Sequence, residues 1–157
     1  MAMPAHLARL RERIGHDLIV LPAVAACVFD EDGRLLLARH DYDEWGLPGG
    51  GVKPDQPPLE AVVEQAAEEV GLNVRPVGVI GVYGGPECRS TYRNGDQVSY
   101  VISVYGCVLE SGTPRPDEDE VSAVDFFGRE DIDRLKLMAW MPGVLDDLFT
   151  WYAQRSR

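Results

Sequence analysis

Residues 45 to 72 read WGLPGGGVKPDQPPLEAVVEQAAEEVGL, and the side chains there that could do chemistry are the acids. Glu60, Glu64 and Glu68 fall at i, i+4 and i+8, one ridge of a helix turning about 100° per residue, with position 65 angularly between Glu68 and Glu69. Each like-charged pair on that ridge costs on the order of 0.2–0.5 kcal/mol. A solvated acidic face accommodates that cost. It does not explain Glu68-Glu69 at the negative end of the helix, where acids are again disfavoured. A hard divalent cation held by carboxylates and a turn carbonyl offsets both penalties. On spacing alone, a metal site and a solvated face both stand. Upstream, Gly49, Gly50 and Gly51 allow backbone angles closed to other residues and let main-chain groups approach a ligand closely.

These residues need elements to position them. Residues 59 to 70 read as a helix with Val63, Ala66 and Val70 as its core stripe, and Gly71 stands where a C-terminal cap belongs. PAVAACVFD is a buried strand, DEDG a turn and RLLLARH a second strand, together a β-hairpin. PVGVIGVYGG is a third strand, TYRNGDQVSYVISVYGCVLE carries an Asn-Gly turn into a long strand, and VSAVDFF follows the polar loop SGTPRPDEDE. Leu7, Leu10 and Ile14 mark a short amphipathic helix over residues 6 to 14. Two helices close the chain; the second starts near Pro142 and turns Val144, Leu145, Leu148 and Trp151 or Tyr152 inward. The pattern predicts one mixed sheet flanked by helices. We expect a single domain over 1–157, with an N-terminal helical segment at 1–18 and a C-terminal helix at 142–157.

A formal net charge of −11 repels phosphate backbones and anionic lipid, which argues against nucleic-acid and membrane partners. Any polyanionic substrate needs a cation to mask it. No window approaches the roughly 20 apolar residues of a membrane span, and the N-terminus lacks a signal-peptide core, so a cytoplasmic location is expected. Cys27, Cys88 and Cys107 form no metal or disulfide spacing. Arg39, ending the second strand, is a candidate for a substrate phosphate or an ordinary exposed strand end. Tyr92 and Arg93, beside the Asn-Gly turn, line a pocket or cover the sheet. His16 and His40 have no partner visible in sequence and read as surface or capping residues. Trp45 is expected to pack beneath the glycines, and Met138, Trp140 and Met141 to serve the core or a homodimer contact.

The opening stretch resembles the signature of the Nudix hydrolases (MutT-like proteins), G-x5-E-x7-R-E-U-x-E-E-x-G-U with U aliphatic. Gly50, Glu68, Glu69, Gly71 and Leu72 match, and Trp45-Gly46-Leu47-Pro48-Gly49 is similar to the family's lead-in. The resemblance implies an α/β/α sandwich around a mixed sheet, and Mg²⁺- or Mn²⁺-dependent attack of water on the pyrophosphate of a nucleoside diphosphate linked to another moiety. It also implies Glu68, Glu69 and the Gly49 carbonyl as metal ligands. Three positions depart: Gln56 replaces a glutamate, Glu64 an arginine, and Gln65 a glutamate commonly used as ligand or general base. A Gln56 amide donating to the Glu64 carboxylate would repair the first two. Gln65 can offer only a weak carbonyl ligand, and losing general-base help typically costs about 10²–10⁴-fold. The proton can instead go to Glu120 in PDEDE, to Glu64, or to no side chain if Mg²⁺ orients the water directly. Alternatively, the chain keeps the fold as a nucleotide-binding or partner-binding module without turnover.

Overall fold

The computed structural model describes residues 3–156; the outermost residues of the expected 1–18 and 142–157 segments lie outside them. Strand β1 (Ile19–Val28) is central to a five-stranded mixed sheet. It runs parallel to β7 (Gln97–Ser111) and antiparallel to β4 (Gly49–Gly51), while β5 (Asn73–Tyr83) and β6 (Arg89–Thr91) pair antiparallel with β7. A smaller antiparallel sheet has the order β3 (Trp45–Gly46), β2 (Leu35–Arg39), β8 (Ala123–Phe127).

The continuous apolar run of β1 reflects burial on both faces. Ala23, Ala25 and Cys27 pack into a core with Leu145 and Leu148 of helix α4 (Leu145–Arg155). Val24, Ala26 and Val28 pack into a second core with Ala61, Val62, Ala66 and Val70 of helix α2 (Pro58–Val70). This is the expected α/β/α layering. Strand β2 divides in the same way, Leu35 and Leu37 to the first core, Leu36 and Ala38 to the second.

The expected hairpin between β1 and β2 is corrected. The turn forms, with the Arg34 carbonyl accepting from Asp30 N–H at 3.0 Å and a single bridge from Phe29 to Leu35, after which the strands join different sheets. Strand β1 is paired along its edges by β4 and β7, and β2 by β3 and β8, so neither offers the other a free edge beyond that bridge. The core stripe of α2 is also shifted: Val63 is 37% exposed, and the inward residues are Ala61, Val62, Gln65, Ala66, Glu69 and Val70. Two polar residues thus occupy the buried face. Gly71, in the left-handed region at φ 70°, ends α2 as expected, its N–H and that of Leu72 reaching back to the carbonyls of Ala67 and Ala66.

Helix α1 (Ala5–Ile14) buries no side chain fully. Arg11 holds it instead, donating to the Asp17 and Gln97 carbonyls and lying 3.6 Å from Asp96, which also bonds His16. Helix α3 (Arg129–Ile132) is a single turn. Trp140 and Met141 are core residues, and the three cysteines are buried thiols. Among the described residues no helix is long and apolar enough to cross a membrane.

Candidate functional site

The three glycines are not a strained turn. None has a positive φ; they form β4, paired with Ala25, Val24 and Ala23 of β1. What they supply is close approach. A Cβ on Gly49 would collide with the Val24 carbonyl and the Ala25 backbone, and one on Gly50 would stand 2.7 Å from Gln65 Oε1. Gly51 faces open space, its nearest such contact being the Pro22 carbonyl at 4.0 Å.

That approach delivers the Gly49 N–H to Glu69 Oε1 at 3.0 Å. Glu69 is 1% exposed, and its second oxygen, Oε2, has no hydrogen-bond partner among the described residues. Burial, then the charges of Glu120, Asp117 and Glu68, push its carboxyl up to about 8 against the Gly49 bond. Gln65 lies one turn earlier on the same buried row. Glu60 and Glu68 face solvent, so the acidic ridge is hydrated while the one acid beside it points inward.

The loop before β8 is stitched to the end of α2. Arg115 N–H donates to the Val70 carbonyl at 3.0 Å and Asp117 N–H to the Glu69 carbonyl at 3.1 Å. The Asp117 carboxylate in turn accepts from the N–H groups of Glu120 and Val121. Glu120 is thereby held near Glu69, and its own carboxyl is raised by burial and by Asp117, Glu68 and Asp119. At the other end, Ser122 N–H reaches the Arg39 carbonyl and Arg39 Nε bonds Ser122 Oγ at 2.9 Å.

Between this loop and the β2–β3 connection lies an open cleft of about 340 Å³, lined by His40, Tyr42, Asp43, Arg93, Asp119 and Glu120 among others. Arg93 is stacked 5.1 Å from the Tyr42 ring. Tyr42 and Asp43 both hold positive φ, 63° and 57°, an uncommon state outside glycine, with Lys136 Nζ anchoring the Tyr42 carbonyl at 2.7 Å. Tyr92, read as lining a pocket or covering the sheet, is not among the residues that line this cleft, where Tyr42 stands; the Tyr92 hydroxyl bonds that of Tyr100. Arg39 is engaged by Ser122 and lies over Trp45, 5.9 Å from the ring centre.

His40, like Tyr42, is a residue that sequence reasoning missed. It is part-buried rather than a surface or capping group, its Nε2 is 3.2 Å from the Leu47 carbonyl, and its Nδ1 is 3.9 Å from Glu69 Oε2. Burial holds its pKa down, against the Leu47 bond and nearby Asp41 and Asp117. The only signal available was its place just after the second strand, because its partner lies 29 positions away.

The expected Gln56–Glu64 contact is present: Gln56 Nε2 donates to Glu64 Oε2 at 2.8 Å, and Lys53 Nζ pairs with the other oxygen. Lys53 N–H donates to Gln56 Oε1, closing the link between the β4–α2 loop and the helix. With both oxygens engaged, Glu64 is poorly placed to accept a proton. Glu64→Gln should therefore leave turnover at the wild-type level, measured as kcat on whichever substrate is found.

Among the described residues no three His, Cys, Asp or Glu side chains already stand together as a metal site. The donor chemistry nevertheless fits a divalent cation: a buried carboxylate oxygen lacks a hydrogen-bond partner there and three further acids raise its proton affinity. Carboxylates would have to be drawn together by the ion.

A family profile, the NUDIX domain, matches residues 20–148. A MutT-like protein of Streptomyces ambofaciens is 31% identical over 127 residues, 80% of this chain and 75% of that protein. An RNA pyrophosphohydrolase of Halorhodospira halophila is 44% identical over 61 residues, a match spanning 38% of this chain and only 34% of the relative. The crystal structure of an ADP-ribose pyrophosphatase from Streptococcus suis superposes with a TM-score of 0.65 at 26% identity, covering 84% of this chain and 91% of that one.

Proposed function

Because the chain belongs to the NUDIX family, we propose that it hydrolyses the pyrophosphate bond of a nucleoside diphosphate linked to another moiety, with Mg²⁺ or Mn²⁺ as cofactor. The observation carrying this reading is the buried, unpartnered Oε2 of Glu69 beside an acid-lined cleft. Relatives named for RNA pyrophosphohydrolase and ADP-ribose pyrophosphatase activity support the bond type. Glu69, Glu68 and the Gly49 carbonyl would hold the cation, with the Gln65 carbonyl as a weaker donor. When bound, the cation neutralises phosphate charge and lowers the pKa of water.

The chain's own residues do the rest. Glu120 accepts the proton of the attacking water at a carboxylate oxygen; its raised pKa brings it nearer the working pH of a base. Arg93 exchanges its stack on Tyr42 for a substrate phosphate, and Arg39 supports the same wall through Ser122. The protein would work in the cytoplasm, as one catalytic domain.

The test is hydrolysis of a pyrophosphate-linked panel, ADP-ribose included, with either cation. Glu120→Ala should lower kcat by about 10²-fold with the thermal midpoint unchanged. Gln65 supports a second reading, a module that binds a nucleotide without turnover. Saturable binding in the wild type with hydrolysis appearing only in Gln65→Glu would establish that reading instead.

A further inference from the structure

The Leu47 carbonyl can only accept, so the ring nitrogen facing it, His40 Nε2, must carry a hydrogen. In the neutral ring this leaves Nδ1 as the nitrogen with a lone pair, and Nδ1 is the one turned toward Glu69. Glu69 is arranged in complementary fashion: Oε1 is taken by the Gly49 N–H, and Oε2, the oxygen without a partner, faces Nδ1 across 3.9 Å. Both ties come from the same segment, since Leu47 and Gly49 are two residues apart.

Two donors each about 2.1 Å from a shared ion stand roughly 3 Å apart when they subtend a right angle and about 4.2 Å when opposed. The observed separation falls inside that interval. The surrounding charge is right as well: Glu120, Asp117 and Glu68 all act on Glu69, and Asp41 and Asp117 on His40.

We infer that His40 Nδ1 and Glu69 Oε2 form a nitrogen–oxygen donor pair for one divalent cation, so that the site takes Mn²⁺ and later transition ions in preference to Mg²⁺. The inference rests on the cation-dependent reading above and adds to it an imidazole ligand. Magnesium is a hard ion that selects oxygen and keeps its waters, whereas imidazole suits the transition series, with affinity rising from Mn²⁺ to Co²⁺ and Ni²⁺.

The experiment uses the full chain without substrate. Pulsed electron paramagnetic resonance of bound Mn²⁺ should show coupling to a directly ligated nitrogen, and growth on ¹⁵N-histidine should change it to the ¹⁵N pattern. His16→Gln should keep the signal and His40→Gln should lose it. By calorimetry His40→Gln should weaken Mn²⁺ and Co²⁺ by about tenfold or more and Mg²⁺ by less than about threefold. Mn²⁺ uptake without nitrogen coupling in the wild type overturns the imidazole ligand alone, as does an equal loss for Mg²⁺ and Mn²⁺. No Mn²⁺ uptake by the wild type removes the cation-dependent reading with it. The isotope arm needs no substitution, so a His40→Gln protein that fails to fold leaves the question decidable.

Discussion

Glu69→Gln is expected to abolish turnover and, in the cation-free protein, to raise stability at neutral and alkaline pH. The two effects have one origin. A carboxyl that ionises only near 8 when folded but near 4.5 when exposed binds more protons in the native state between those values. Native stability therefore falls as pH climbs through that window: the neutral acid is buried without penalty below it, and the full cost of a buried anion is present above it. The whole effect is on the order of 5 kcal/mol, and a glutamine never incurs it. Urea unfolding of cation-free protein at pH 5 and pH 8.5 should show the wild type losing several kcal/mol more than the variant. Adding Mn²⁺ should restore the wild type and not Glu69→Gln, because the cation takes the place of the proton. On activity, losing the one carboxylate with an open buried oxygen should lower kcat/KM by about 10³-fold or more, equivalent to about 4 kcal/mol of transition-state stabilisation. A variant that loses as much stability as the wild type between the two pH values and still turns over would show that Glu69 is only a structural tie for Gly49.

What could be read from the sequence was whatever a local period or a fixed spacing controls. The helix from Pro58 to Val70 and the Gly71 cap follow from short-range geometry, while the Gln56–Glu64 bond was legible only through the resemblance to the family's signature. The apolar runs of β1 and β2 announced burial on both faces, but not that the two strands would enter different sheets. Val63 was read inward because it fits a 3.6-residue stripe with Ala66 and Val70. Counting apolar residues could not reveal that the buried face includes Gln65 and Glu69, whose burial depends on β4 and the 115–120 loop closing over them. His40 and Tyr42 were missed for the same reason. Their roles come from β8 pairing with β2, which carries the acidic loop beside residues some 80 positions earlier.

Alanine at the three consecutive glycines should separate close approach from conformational freedom, with sharply graded results. Since none has positive φ, conformational freedom predicts little effect at any of them. Close approach predicts a large effect at Gly49, a smaller one at Gly50 and none at Gly51. At Gly49 the new methyl meets the backbone of Val24 and Ala25 in the centre of the mixed sheet, which cannot retreat without breaking the β1–β4 pairing. Gly49→Ala should cost about 3 kcal/mol or more and displace the N–H that fixes Glu69 Oε1, so activity should fall with stability. At Gly50 the obstacle is the end of the Gln65 side chain, which can rotate aside; the loss should be about 1 kcal/mol, and Gln65→Ala in the same protein should recover most of it. Gly51→Ala, with no such contact nearer than 4.0 Å, should melt like the wild type. Equal results at all three, whether small or large, would mean that close approach to β1 and Gln65 does not govern the segment.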